Sequence, residues 1–180
     1  LAWRRIRRNP LTFGALCVIA LIALAAIFAP WIAPYPPDAT DAAAALQSVS
    51  WRHWLGTDVY GRDQLSRIIY AARIDLSVTF AATAAAVVIG ALLGAVIGYR
   101  GGWVDHLAMR PVDAIMAFPA FVLAMGITAA LGNSTVNVAI AISITQVPSY
   151  LRLVRGEMLR IREMEYADAA RTVGNPPWRI

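Results

Sequence analysis

The chain of 180 residues contains no lysine; its sixteen basic residues are all arginine. A phosphate-cradling Gly-x-x-x-x-Gly-Lys-[Ser/Thr] loop therefore cannot be built, and no ATP or magnesium site is expected in this chain. The single cysteine, Cys17, rules out an intrachain disulfide, and its place within an apolar run suits a small packing residue. There are two histidines, His53 and His106, in segments on opposite sides of the apolar runs, and there is no Gly-x-Ser-x-Gly. An intramembrane hydrolase, which needs a nucleophile and a base together at membrane depth, is not expected. Charge is scarce, at 15% of residues against about 25% in an ordinary soluble domain. The net charge of +5 is not arranged as a basic stripe interleaved with stacking aromatics, which argues against nucleic acid as a partner.

What is abundant is hydrophobic surface, at 59% of residues. That proportion points to an all-α integral membrane protein with the lipid bilayer as its solvent. Four spans are expected. The first, Leu11 to Ala29, has nineteen residues without a charge, about 28 Å of helix. Asn9 can cap it and Pro10 suits the first helical position, while Pro30, Pro34, Pro36 and Pro37 stop it. Trp31 and Tyr35 suit the headgroup layer. Arg4, Arg5, Arg7 and Arg8 precede this run as in a signal peptide. Its length, beyond the usual ~7–15 residues, and the spans that follow favour an uncleaved anchor.

The second span runs from about Leu76 to Tyr99, with Ala82, Ala86, Gly90, Gly94 and Gly98 recurring every fourth residue. Such a face lets another helix approach closely, as static packing or as a moving seam. The third, from about Pro111 to Leu131, is expected to kink at Pro119, with Asp113 beside Arg110 capping its first turn. The fourth, Val136 to Val154, contains Gln146, which lipid would leave unsatisfied and which should face a neighbouring helix or an aqueous path. Arginines in alternating loops divide twelve to four. The N-terminus, the 99–110 loop and the 155–180 segment are thus expected on the cytoplasmic side. This divides the chain into an arm and first span (1–33), an external loop (34–74) and the start of a core domain (75–180).

The external loop becomes dense around Gly56, Thr57, Asp58, Gly61, Arg62 and Asp63. The glycines suit turns, and Asp63 can cap or pair within the helix that follows. His53, Asp58 and Asp63 make a poor metal set, lacking helical spacing, and a packed external plug is the better reading. Leu65, Ile68, Ile69 and Ala72 predict a short amphipathic helix on the outer surface. Beyond the fourth span, helix formers continue from Gly156 to Val173, and Gly174 offers the left-handed residue that ends a helix. Asn175-Pro176 signals the start of a second short helix. Asp168 stands beside Ala169 and Ala170, a flat surface that a partner's backbone can approach. An ordinary surface helix with pairs such as Glu157 and Arg160 would share this pattern.

The run Glu165-Tyr166-Ala167-Asp168-Ala169-Ala170-Arg171-Thr172-Val173-Gly174 resembles the EAA loop of bacterial ABC importer permeases, with Asp168 in place of glutamate. The segment from Trp3-Arg4-Arg5 to Phe28-Ala29-Pro30, the run Leu55-Gly56-Thr57-Asp58-Val59-Tyr60-Gly61-Arg62-Asp63-Gln64-Leu65-Ser66-Arg67, Phe118-Pro119 and Leu153-Val154-Arg155-Gly156-Glu157 are similar to the dipeptide and oligopeptide permeases of the DppC/OppC type. Val147 departs from that pattern, where tryptophan often precedes the proline. The resemblance implies a multi-span permease in the bacterial cytoplasmic membrane that translocates peptides, with nickel chelates or glutathione as alternative substrates. It also implies a second permease subunit forming a heterodimer, two ATPase subunits that use ATP and magnesium, and an external substrate-binding protein. Glu165, Asp168, Ala169, Ala170 and Gly174 would form the ATPase-coupling loop. The rest of that loop, an Ile-x-Leu-Pro, lies beyond Ile180, so the chain is expected to be a fragment. A non-transport membrane scaffold is the rival from another class.

Overall fold

A computed structural model of the chain describes residues 9–176 and 179. The basic arm before Asn9 lies outside the described residues, as does most of the short helix expected after Asn175. Seven α-helices are described: α1 (Pro10–Ile27), α2 (Ala29–Ile32), α3 (Gln64–Arg100), α4 (Gly102–Met116), α5 (Ala120–Leu131), α6 (Thr135–Ile161) and α7 (Glu165–Thr172). No strand occurs among the described residues, only an isolated antiparallel bridge between Thr57 and Asp63. The chain forms two compact units, Leu1–Ser77 and Val78–Ile180.

In the first unit, Asn9 Oδ1 accepts hydrogen bonds from the amides of Leu11 (3.2 Å) and Thr12 (3.4 Å), and Pro10 opens α1. The capping signal therefore does locally what it predicts. Ala26 is the buried residue of α1, while Leu11, Val18, Ile19 and Leu21 are exposed. An apolar helix with a bare circumference is stable in hydrocarbon, not in water. The helix after the loop begins at Gln64 and continues without interruption to Arg100, for 37 residues. The short amphipathic helix expected over Leu65–Ala72 is therefore the first part of α3, continuous with the span expected from Leu76. Arg73, Ile74 and Asp75 change the polarity but include no breaker, so backbone hydrogen bonding runs through them.

In the second unit, Ile97 of α3, Val112 of α4 and Leu151 of α6 form a small buried cluster, with Ala108 and Met109 packed against it. Of the four expected spans, α1 and α3 are long and apolar enough to cross a membrane. A third forms only if α4 and α5 count as one broken span, bent by 88°. The single kinked helix expected from Pro111 to Leu131 is thus two helices. Pro119 lies between them in extended backbone (ψ 123°), because a proline displaces its predecessor from helical geometry and donates no amide hydrogen. Pro111 sits inside α4, which already starts at Gly102. Helix α6 has 27 residues, but Asn137, Gln146, Ser149 and Arg152 leave it too polar to join α1 and α3 by composition. Nor is the helix from Gly156 to Val173 continuous: α6 ends at Ile161, and α7 starts afresh at Glu165.

Candidate functional site

The site is built on the contact between α3 and α6. A Cβ added to Gly90 would lie 2.8 Å from Cβ of Tyr150 and 2.9 Å from the carbonyl of Val147. One on Gly94 would lie 2.5 Å from the Leu151 carbonyl, and one on Gly98 would lie 2.7 Å from that of Arg155. These distances are below any ordinary van der Waals contact, so the close approach of α6 at these three positions requires glycine. Ala82 and Ala86 extend the seam and are buried. Ser143 Oγ donates to the Ala82 carbonyl at 3.0 Å and to Ala139 at 2.8 Å. Where lipid removes the hydrophobic drive between helices, close packing and bonds of this kind hold them together. Gln146 is half-buried on α6, next to Val147, which touches Gly90.

Two ion pairs join α4 to α6. The guanidinium of Arg155 forks onto both carboxylate oxygens of Asp105, and Arg152 Nη2 donates to Asp113 Oδ1 at 2.8 Å. Asp113 therefore does not cap a helix beside Arg110. It lies in the interior of α4 and reaches a different helix, because α4 begins eleven residues earlier than Asp113 (113 − 102). Arg155 stands where three helices meet, with its backbone against Gly94 and Gly98 and its side chain on α4.

Beyond this joint, α7 forms a short charged knob. Ala167 is fully buried, whereas Tyr166, Asp168, Ala169 and Val173 are exposed and Ala170 is half-buried. Residues 166, 169, 170 and 173 follow helical i, i+3, i+4, i+7 spacing, so they form one outward stripe with small residues at its centre. Glu165 and Asp168 lie in the first turn and Arg171 in the last, each favourable to the helix dipole. Asp168 Oδ1 accepts from Arg171 Nη1 at 2.6 Å. Gly174 adopts the left-handed conformation expected of it (φ 79°). Its amide donates to the Arg171 carbonyl at 2.9 Å, and that of Asn175 donates to Ala170 at 3.1 Å, a complete Schellman closure.

The 34–63 segment is organised by its own side chains. Asp58 accepts from the amides of Tyr60 (2.8 Å) and Arg62 (3.0 Å), and from the side chains of Arg62 and Arg67, both at 2.7 Å. Asp63 takes the amide and hydroxyl of Ser66 at 2.8 and 2.7 Å, capping α3, and its other oxygen meets His53 Nδ1 at 3.0 Å. Ser66 Oγ in turn accepts from the Tyr35 amide at 3.1 Å. Thr57 Oγ1 donates to the Ala44 carbonyl and accepts from the Gln47 amide at 2.9 Å. Gly56 and Gly61 have φ of 74° and 72°. A Cβ on Gly56 would lie 2.6 Å from the Gln47 carbonyl, and one on Gly61 would collide with Asp41. Burial pushes both Asp58 and Asp63 up. The amides of Arg62 and Tyr60 and the Arg62 guanidinium outweigh it at Asp58, and Ser66 and His53 outweigh it at Asp63. Both carboxyls end below their ordinary value. Among the described residues no group of three or more acidic, histidine or cysteine side chains could hold a metal ion.

Residues 86–180 match the family model for the binding-protein-dependent transport system inner membrane component. The chain belongs to that family. Residues 1–48 also match the N-terminal TM domain of oligopeptide transport permease C. The chain is 41% identical over 179 residues to the dipeptide transport system permease protein DppC of Alkalihalophilus pseudofirmus, covering 99% of this chain and 59% of that protein. It is 39% identical over 180 residues to the probable D,D-dipeptide transport system permease protein DdpC of Escherichia coli K12, covering all of this chain and 60% of that protein. The glutathione transport system permease protein GsiD of Escherichia coli O1:K1 is 39% identical over 173 residues, covering 96% and 57%. The chain thus spans about three-fifths of the length of these relatives. As a member of this inner membrane family it is an integral membrane protein, and the matched region contains the α3–α6 seam from Ala86 onward and the whole of α7.

Three features escaped the sequence reading: the pairing of Asp105 with Arg155, the bond from Ser143 to α3, and the contacts of Arg162 and Arg171 described below. Asp105 and Arg155, Ser143 and Ala82, and Arg162 and Tyr99 are fifty or more residues apart, whereas Arg171 reaches the Arg162 carbonyl across nine. A charge near a helix end was the one available signal, and it does not name its partner.

Proposed function

We propose that the chain is part of a permease subunit of an ATP-driven importer that carries peptides across the bacterial cytoplasmic membrane. The observation that carries this reading is the outward stripe Tyr166–Ala169–Ala170–Val173 on α7, with Asp168 exposed at its edge. A short helix that buries one alanine and presents two others invites a partner's backbone, and a family of binding-protein-dependent transporters has an ATPase to offer. In this account Glu165, Asp168, Ala169, Ala170 and Gly174 form the coupling loop. Two ATPase subunits bind and hydrolyse ATP with magnesium, and this chain holds no nucleotide. A second permease subunit completes a heterodimer around the path, and an external binding protein delivers the substrate.

The N-terminus and α7 face the cytoplasm, and the 34–63 segment is a packed plug outside. The Gly90, Gly94 and Gly98 seam transmits tilt between α3 and α6, and Gln146 lies toward the path. Glutathione is the second substrate to test, because one similar protein carries that name. The decisive experiment places Ala169→Arg in the full-length permease, reconstituted with its partner subunits in proteoliposomes. Insertion should be normal and labelled dipeptide uptake should be lost. Wild-type uptake by a well-inserted variant would sink the docking role.

A further inference from the structure

The face of α6 that follows the glycine seam does not end with packing. Ser143, Val147, Leu151, Arg155 and Met158 touch α3 in turn, and the next residue on that face is Arg162, immediately after the helix ends. Its guanidinium Nη1 donates to the Tyr99 carbonyl at 3.3 Å. That carbonyl lies in the last turn of α3, where no intrahelical amide remains to satisfy it. Gly101, at φ 60°, lies directly against the same guanidinium, so a side chain there would displace it. On its other side, the backbone carbonyl of Arg162 accepts from Arg171 Nη2 at 2.9 Å, while Arg171 Nη1 holds Asp168. One unbroken path therefore runs from the end of α3 through Arg162 and Arg171 to the exposed edge of α7. Tyr99, Arg100, Arg162, Glu163, Asp168 and Arg171 line a polar groove of about 440 Å³ along it.

The break at 162–164 gains its meaning here. Arg162, Glu163 and Met164 include neither glycine nor proline, so local propensity does not stop the helix. The two arginines hold the chain in its bent course. We propose that Arg162, with Arg171, is a positioning residue that fastens the α6–α7 bend to the end of α3, so that a displacement of α7 moves two helices instead of one. Without the latch, a push on α7 would reach α6 by covalent connection alone, and the three-residue break would absorb much of it. Chains of hydrogen bonds between rigid helices are one means by which such coupling is carried.

This inference rests on the reading of α7 as the ATPase contact, and the test separates the two. The full-length permease, assembled with its partner permease and ATPase subunits, is followed by hydrogen exchange before and after trapping with MgATP and vanadate. In the wild type, exchange should change both at 165–174 and at 97–101. In Arg162→Ala the first change should persist while the second falls by about fivefold, within the range known for mutations along a coupling route. Arg162→Lys, whose ammonium reaches a single carbonyl, should restore part of it. Arg171→Ala, at the exposed end of the path, should weaken the change at 97–101 in the same direction while leaving the half-buried Arg162 side chain in place. Unchanged exchange at 97–101 in both alanine variants, with α7 still responding, would overturn the latch alone. A wild type whose α7 does not respond at all would overturn the docking reading and the latch with it.

Discussion

In the 34–63 segment, the six residues Gly56, Thr57, Asp58, Gly61, Arg62 and Asp63 are consumed by one another and by the chain around them. Asp58 takes four donors and Asp63 three, and both glycines are pressed against backbone. In α7 the motif residues are left over. Ala169 and Asp168 are exposed, Gly174 closes the helix with open space around it, and Ala167, which is not among the proposed coupling residues, does the packing. Both runs carry a family resemblance, yet one is explained from inside the molecule and the other is not. A motif whose polar groups are all satisfied internally needs no partner to account for it. One whose residues lie on an outward face is not accounted for from inside the molecule.

Substitutions can break this contrast. The largest effect is expected at Gly61→Val, where a side chain would enter the Asp41 backbone and φ is left-handed. The 34–63 segment should unfold locally, at a cost of about 1–3 kcal/mol or more, seen as rapid proteolysis between Ala39 and Tyr60. Gly174→Pro should have the opposite profile. It removes an amide donor and the left-handed residue at the end of α7, so uptake should fail while thermal stability stays near wild type. If Gly174→Pro destabilised the protein as much as Gly61→Val, the division between inner and outer motifs would be wrong. Gly94→Leu tests the seam, because a side chain there has no room against Leu151. The α3–α6 contact should open, and a cysteine placed at 151 should become reactive to thiol reagents.

A smaller effect is expected from pH. Asp58 and Asp63 have native carboxyls held below the ordinary value of 3.8, so the unfolded segment binds their protons more readily. The stability they contribute is present above that value and is lost progressively as the pH falls below it. An acid titration read by the fluorescence of Trp51 and Trp54 should show the loss in the wild type. Asp63→Asn should flatten the profile, and an unaltered one would remove the carboxylate explanation. The smallest effect belongs to Glu157→Gln. Its pairing with Arg160 is exposed on both sides, and neither melting temperature nor uptake should change measurably.

Local signals in the sequence hold where chemistry and conformation depend on neighbours a few residues away. Asn9-Pro10 starts a helix, Asp63 caps one, Gly174 closes one, and the four-residue repeat from Ala82 to Gly98 marks a face that a second helix approaches. Such signals do not set boundaries that depend on distant contacts or on the limits of hydropathy. Polarity at Arg73–Asp75 marks a change of surroundings, yet no backbone bond is lost there, so α3 runs through it. Pro119 ends a helix outright instead of bending one. Asp113 found Arg152, thirty-nine residues away, instead of its neighbour Arg110.

The sequence by itself therefore determined the apolar helices, their caps, the arginine distribution and the small-residue face, because each is a property of composition or of spacing within a few turns. Only the tertiary structure decided what the small face packs against, which arginine reaches which carboxylate, and where the helix beyond Gly156 breaks. Those outcomes depend on groups that lie beyond a helical turn of one another, from nine residues for Arg162 and Arg171 to fifty for Asp105 and Arg155. No local preference specifies such a pair; the chain has to close first, and the packing of α6 into the glycine seam closes it.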